Sequence, residues 1–406
     1  MWETTKLEKV CKIISGNSIP AKKKEEDFTG VEGMPYVATK DVGFDGSINY
    51  ENGVYIPDEY RNNFKTSPVG ATLVCAEGGS AGRKIAFSNK DCCFVNKLFS
   101  LQPDKNIIPK FIYYYTLSSE FQSQFKEAMH GLIGGVSLSK IKGFSISVPP
   151  LAEQQRIVAK LDAAFAEIEK LHCTSIAKLE SLKVSIQRHR DILFSTGDAT
   201  GVEWKSYVLS ELLSSQPKNG KSPPKELQSD EGTPLLTLSA ITGNVFTPSD
   251  SIFTKASVDA TASYWIENGD LLITRANTRK LVGHVAIVHG IKNPMMFPDI
   301  VMKMRVNEQL ASVQFIHQYL MTTLTREYIE KNAKGANPSM VKINQETVKK
   351  IPLRLPPIGL QSELYKEFSR VESEIRSLSA INLQKLNATR RLKSAILAQE
   401  LQSEAA

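Results

Sequence analysis

Val148-Pro149-Pro150-Leu151 with Gln154, and Leu355-Pro356-Pro357-Ile358 with Gln361, are two copies of one signal set 207 residues apart. A Pro-Pro pair disfavours helix before it and allows one to start just after it. Each copy therefore predicts a strand-like run, Phe144 to Val148 or Ile351 to Leu355, that gives way to a helix. What starts there is long. From Ile157 the apolar positions Leu161, Ile168, Leu171, Leu179, Leu182, Ile186 and Leu193 recur mostly at threes and fours, with polar residues between. From Leu360 the same pattern reads Leu364, Phe368, Val371, Ile375, Leu378, Leu386, Leu392 and Ile396. Each helix can run for about 40 residues, or about 60 Å at a rise of 1.5 Å per residue.

An apolar stripe of that length must be covered. The obvious cover for each helix is the other, the alternative being two helices packed on their own globules. Ile157, Leu161, Ile168, Leu179, Leu182 and Ile186 are expected to face Leu364, Phe368, Val371, Ile375, Leu378 and Leu386. His172 and Ser175 interrupt the first stripe, so no strict heptad is expected. Chain order makes a compact pair antiparallel, because the first helix leads into a second globule and the second leads out of it.

Outward from the Pro-Pro signals the repeat continues in unbroken order. Trp2 to Leu7 matches Trp204 to Leu209, Glu32-Gly33-Met34-Pro35 matches Glu231-Gly232-Thr233-Pro234, Gly70 to Val74 matches Gly269 to Ile273, and Phe111-Ile112-Tyr113 matches Phe315-Ile316-His317. A period near 200 residues is a duplicated domain rather than a solenoid repeat. The expected organisation is a globule over 1–150, a long helix over 151–197, a second globule over 198–357 and a second long helix over 358–406. The fold class is α+β: two similar mixed globules joined by two antiparallel helices, with an internal pseudo-twofold repeat.

Composition sets bounds on function. With 406 residues, 41% hydrophobic and 23% charged, the chain reads as an ordinary globular protein of at least two domains. No apolar run approaches the roughly 20 residues of a membrane span, and the first residues lack a signal-peptide core. Five cysteines without a Cys-x-x-Cys pair suit reduced thiols in the cytoplasm, and Cys92-Cys93 reads as two small buried apolar residues. A net charge of +7 fits a polyanion binder without requiring one.

Catalytic and metal-binding patterns fail one by one. Gly220-Lys221-Ser222 has the tail of a phosphate loop, but Ser215 stands where its first Gly belongs. The six histidines form no His-x-His or His-Glu-x-x-His pair, so no metal site is expected. Loops between strands are better endowed. Glu77 to Lys84 holds Gly79, Ser80, Arg83 and Lys84, and Arg275 to Gly283 holds Arg275, Asn277, Thr278, Arg279 and Lys280. Glycines admit a phosphate to the backbone, while Arg and Asn carry forks that read guanine and adenine edges. Lys140, Lys142, Lys334 and Lys342 flank turns late in each globule and are candidate phosphate contacts. For each loop taken alone, an ordinary solvated hairpin is the competing reading.

The run Val148 to Leu161, with its long helix, second globule and second Pro-Pro-Ile-Gly-Leu-Gln helix, resembles the specificity (S) subunit of Type I restriction-modification systems over essentially the whole chain. The second copy departs from the first at Gly359-Leu360 and Ser362 to Tyr365. The resemblance implies two target-recognition domains, each reading one part of a split double-stranded DNA target, with the helices setting the gap. It also implies docking of two methyltransferase (M) subunits and association with restriction (R) subunits. S-adenosylmethionine, ATP and Mg would belong to those partners, leaving no catalytic site or cofactor in this chain. The alternative is a coiled-coil scaffold without DNA recognition.

Overall fold

In the computed structural model of the chain, which describes residues 2–130, 134–195, 201–224, 227–335, 337 and 340–401, both Pro-Pro signals end a strand held by the opening strand of its own repeat. Ser145–Val148 lies antiparallel to Glu3–Lys6, and Pro352–Leu355 lies antiparallel to Lys205–Val208. The long helices follow at once, Leu151–Ser195 and Ile358–Leu401. The expected end at Gly197 and residues 402–406 lie outside the described residues.

Gln154 and Gln361 explain why the repeat includes a glutamine after each Pro-Pro. Gln154 Nε2 donates to the Pro149 carbonyl at 2.9 Å, and its Oε1 accepts the Ile108 N–H at 2.9 Å. Gln361 does the same with the Pro356 carbonyl and the Ser312 N–H, again at 2.9 Å each. Ile108 and Ser312 are the N-caps of the domain helices Pro109–Leu117 and Val313–Leu320. Each glutamine is thus a buried amide satisfied at both ends, and it ties the first turn of a long helix to the first turn of a domain helix.

The chain divides into two compact units, residues 1–175 with 384–406, and residues 176–383. In the first, a four-stranded antiparallel sheet has the order Cys11–Ser15, Leu98–Pro103, Thr72–Cys75, Ile85–Phe87. In the second, the order is Leu213–Asn219, Val301–Val306, Leu271–Thr274, Val285–Ile287, which is the same topology. Thr72–Cys75 and Leu271–Thr274 are buried at every position, as strands covered on both faces must be. A further sheet of four strands in the first unit and five in the second completes each domain. Ser118 and Thr322 cap the equivalent helices Ser119–Ala128 and Thr323–Asn332 by accepting the Phe121 and Thr325 N–H groups.

Within each unit the two long helices pack antiparallel. In the first, Arg156 and Lys160 meet Glu400, at 3.1 and 2.6 Å, while Lys393 lies over the Phe165 ring. Leu397 joins Ile157, Val158 and Leu161 in the core of that domain. In the second, Phe368 contacts His189, Arg190 and Phe194 in a core shared with Leu364, Phe315 and Trp204. Ile157, Leu161, Ile168, Leu364, Phe368 and Leu386 are buried, and Leu179, Leu182, Ile186, Val371 and Ile375 are half-buried.

Leu378 departs from expectation, being 43% exposed, as are Leu171 and Leu392 at 54% and 48%. A straight α-helix drifts by about 20° per heptad, so a stripe counted in threes and fours along the whole length rotates off the packed side. Ser175, Asn382 and Thr389 occupy buried positions instead, and Asn382 and Thr389 donate to the backbone carbonyls of Leu378 and Leu386. Cys92 and Cys93 are buried in the strand Cys92–Phe94, where burial pushes their thiols up to about 12 and about 11. Among the described residues, no helix is long and apolar enough to cross a membrane.

Candidate nucleic-acid interface

The two loops singled out in the sequence occupy one position in the repeated topology. Residues 76–84 join Thr72–Cys75 to Ile85–Phe87, and residues 275–284 join Leu271–Thr274 to Val285–Ile287, each pair of strands being antiparallel neighbours. A second, shorter ladder closes each loop. Glu77 bridges Gly135, which also bridges His130. Ala276–Asn277 pairs with Val341–Lys342, and Lys342 bridges Lys334. Arg275, Asn277, Lys334 and Lys342, scattered over nearly 70 residues of sequence, are therefore gathered on adjoining backbone in the second unit.

The lysines of the two units are not counterparts. Lys334 and Lys342 sit where His130 and the segment at Gly135 sit, whereas Lys140 and Lys142 lie on the short helix Leu138–Lys142, whose equivalent is Gln345–Lys349. Short turn sequences do not reveal such a shift, because the pairing that aligns them is long-range.

Side-chain geometry shows which cations are exposed and which are braced, and Arg279 and Arg83 are both. Arg279, Lys280, Lys334, Lys342 and Arg83 are exposed. The Arg279 guanidinium donates to the Glu330 carbonyl at 2.6 Å, and Arg275 reaches the Asp299 carbonyl at 3.4 Å. Asn277 Oδ1 accepts the Thr278 N–H at 2.8 Å, which leaves its amide hydrogens free to donate elsewhere. Arg83 donates to the Gly79 carbonyl at 3.4 Å, and Lys84 donates to the Thr39 carbonyl at 3.0 Å. Gly79 and Ser80 lie in the turn that precedes them, where the Ser80 carbonyl accepts the Arg83 and Lys84 N–H groups.

The glycines that matter to loop shape are Gly82 and Gly283, with φ of +67° and +77°. A Cβ on Gly82 would meet the Phe125 ring at 2.6 Å, and one on Gly283 would meet Ile329 at 2.7 Å. Each loop is thus seated on the helix Ser119–Ala128 or Thr323–Asn332, so these glycines serve packing as well as any approach of phosphate. Arg326 braces the second loop from behind by donating to the Val282 and Lys280 carbonyls at 2.7 and 3.2 Å. Nothing in the local sequence marks it.

Phe44 is also absent from the sequence reading. It is 64% exposed at the tip of a turn, with the Arg83 guanidinium and the Lys84 ammonium each 5.2 Å from its ring centre. The signal that could have found it is an aromatic residue inside Gly43-Phe44-Asp45-Gly46. Among the described residues, no group of three or more His, Cys, Asp or Glu is placed to hold a metal ion.

Comparison with known proteins bears on what these loops belong to. The family model of the Type I restriction modification DNA specificity domain matches residues 1–181 and again 201–387. The EcoKI specificity subunit of Escherichia coli is 24% identical over 99% of this chain and 89% of its own length, and the StySPI specificity subunit of Salmonella potsdam is 24% identical with the same coverage. In fold, the chain superposes on a chain from an assembled type I R-M system with a TM-score of 0.73 at 17% identity, covering 99% and 98% of the two chains. It also superposes on the HsdS subunit from Thermoanaerobacter tengcongensis with a TM-score of 0.50 at 18% identity, covering 98% and 96%. With two consecutive matches to the domain and the same sheet order in both units, this chain belongs to the family of Type I restriction-modification DNA specificity subunits.

Proposed function

We propose that each unit presents one DNA-reading face, built on the connection 76–84 in the first and 275–284 in the second, and that the two faces read the two parts of a split target. The observation that carries this reading is the recurrence of the connection and its closing ladder, Glu77 with Gly135 and Asn277 with Val341, at one place in a duplicated domain. Arg83, Lys84, Lys140, Lys142, Arg279, Lys280, Lys334 and Lys342 supply phosphate contacts that give affinity and register. Arg275, Asn277 and Thr278 supply base contacts, each good bidentate pair contributing roughly 1–3 kcal/mol of discrimination.

In this reading the long helices set the gap between the two parts of the target and carry two methyltransferase subunits, with restriction subunits joining the same assembly. The exposed leucines Leu171, Leu378 and Leu392 support a docking role, since apolar side chains turned to solvent along a helix gain by being covered. S-adenosylmethionine, ATP and Mg are then bound by the partners, and this chain works in the cytoplasm without a catalytic site of its own.

The test is to sequence methylated adenines in cells carrying the intact system with wild-type chain or Arg275→Ala. The expected result is a bipartite motif in which the variant relaxes one half and leaves the other intact. Equal degradation of both halves, or a single uninterrupted motif, refutes the reading. A mobility shift of the chain with its methyltransferase partner across a salt series separates a DNA reader from a scaffold, because phosphate contacts make binding fall steeply with salt.

A further inference from the structure

Among the described residues, Phe44 is the one Phe, Tyr or Trp that is exposed, every other aromatic ring being buried or half-buried. Its position is built rather than frayed. Val42 is fully buried and bridges Ile48, the Gly43 N–H donates to the Ser47 carbonyl at 2.9 Å, and the Asn49 N–H donates to the Asp41 carbonyl at 2.8 Å. Gly46, at φ +86°, lets the turn close where a Cβ would come within 2.7 Å of the Tyr113 hydroxyl. The neighbouring Asp45 carboxylate is folded back on the Ser47 N–H and hydroxyl, at 3.0 and 2.6 Å, rather than turned towards the ring.

The two cations over the ring come from the connection already assigned to DNA. Each lies within cation–π range of Phe44, so the ring fixes both charges and they fix the ring. An exposed phenylalanine between two cations suits one kind of surface, a polyanion that also offers apolar faces. Duplex DNA does so, with phosphates for Arg83 and Lys84 and, in the groove between, base edges, thymine methyl groups and partly unstacked base steps for the ring.

We propose that Phe44 enters a DNA groove and is a specificity-determining residue of the first unit, making apolar contact with bases while Arg83 and Lys84 engage the flanking phosphates. The inference rests on the DNA-reading function proposed above. The second unit solves its half differently, because the offset of 199 residues that relates Gly33 to Gly232 and Gly70 to Gly269 puts Gly243, without a ring, in the place of Phe44.

The experiment uses the full chain assembled with its methyltransferase partner, as wild type, Phe44→Ala, Phe44→Leu and Arg83→Ala. Binding is measured across a salt series to a duplex carrying the motif defined by methylation sequencing, and to duplexes with either half scrambled. Phe44→Ala is expected to lose about tenfold or more on the full motif, with the slope of affinity against salt unchanged, since no phosphate contact is removed. Phe44→Leu falls between, and Arg83→Ala lowers the slope by about one. The half that Phe44→Ala ceases to discriminate is expected not to be the half relaxed by Arg275→Ala. Because the ring is exposed, unchanged melting of Phe44→Ala shows that the loss is not unfolding. Wild-type affinity and an unchanged methylation motif overturn the inference. So does an equal loss on every duplex with a reduced salt slope, which makes the ring a mere holder of the cations. If the wild-type assembly itself fails to discriminate the scrambled duplexes, it is the DNA-reading function that falls.

Discussion

The helix pair is closed by leucine in one unit and by an aromatic–guanidinium pair in the other, at the same positions. The offset of 207 residues that relates Gln154 to Gln361 also relates Leu161 to Phe368 and Arg190 to Leu397. In the first unit Leu161 and Leu397 share an apolar core, and the charges stand one turn away, where Glu400 meets Arg156 and Lys160. In the second, Arg190 is 8% exposed, lies 5.2 Å from the Phe368 ring centre, and donates to Gln318 Oε1 and Gln187 Oε1 at 2.9 and 2.7 Å. The difference teaches that duplication preserved the joint and not its chemistry. The buried amide clamp and the strand before it are identical in kind, while the seam exchanged an apolar pair for an aromatic–guanidinium one.

The sharpest way to break that comparison is at Phe368, which is fully buried. Phe368→Ala removes a ring from the core of the second unit and leaves Arg190 without its aromatic face, for a loss of about 3–5 kcal/mol. Hydrogen exchange should show the loss confined to amides of the second unit. Equal deprotection of the first would mean that the seams are not separable.

Acid provides the next test. Burial holds His317 down to about 4, from an ordinary 6.5, in the place where the first unit has Tyr113. The imidazole is neutral in the fold, so the unfolded chain binds the extra proton between these values. Stability from this site is complete above about 6.5 and is lost as pH falls towards about 4, on the order of 3 kcal/mol. The second unit should therefore loosen on acidification in that window, and His317→Gln should flatten the pH dependence of its exchange rates. An unchanged slope in the variant would assign acid sensitivity elsewhere.

The smallest effect is expected at Glu400, whose side chain is 4% exposed while its partners Arg156 and Lys160 are half-exposed. In Glu400→Gln those cations return to water, so the cost is about 1 kcal/mol at low salt rather than that of a stranded buried charge, and it shrinks as salt rises. Thermal melting of both proteins at low and high salt checks this. A gap that does not narrow would mean that packing, not charge, holds the pair.

Much of this was legible in the sequence because the signals are local and occur twice. Pro149-Pro150 and Pro356-Pro357 mark where helices start, and the glutamines follow at fixed spacing. The two loops declare themselves as connections between apolar strands. What was not legible depends on partners distant in sequence. Leu378 fits the apolar pattern yet faces solvent, because a local period does not tell which side of a long helix finds a partner. Arg190 is buried by Phe368 and Gln318, which lie more than 120 residues away in sequence, so nothing local marks it. Phe44 went unread because only the folded turn places its ring beside Arg83 and Lys84, and Lys140 resembles Lys342 only until the ladders are aligned.

The division of the chain has a consequence for synthesis. Residues 176–383 form the second unit as one uninterrupted stretch, whereas the first closes only when residues 384–401 return to it with Leu397 and Glu400. On the ribosome, the domain made first is thus the last to be finished, and its unfilled apolar seam must wait in the open while some two hundred further residues emerge. A chaperone that shields nascent chains would find its longest-lived client surface at Ile157 and Leu161, and a premature stop before residue 384 would spare the later domain and cripple the earlier one.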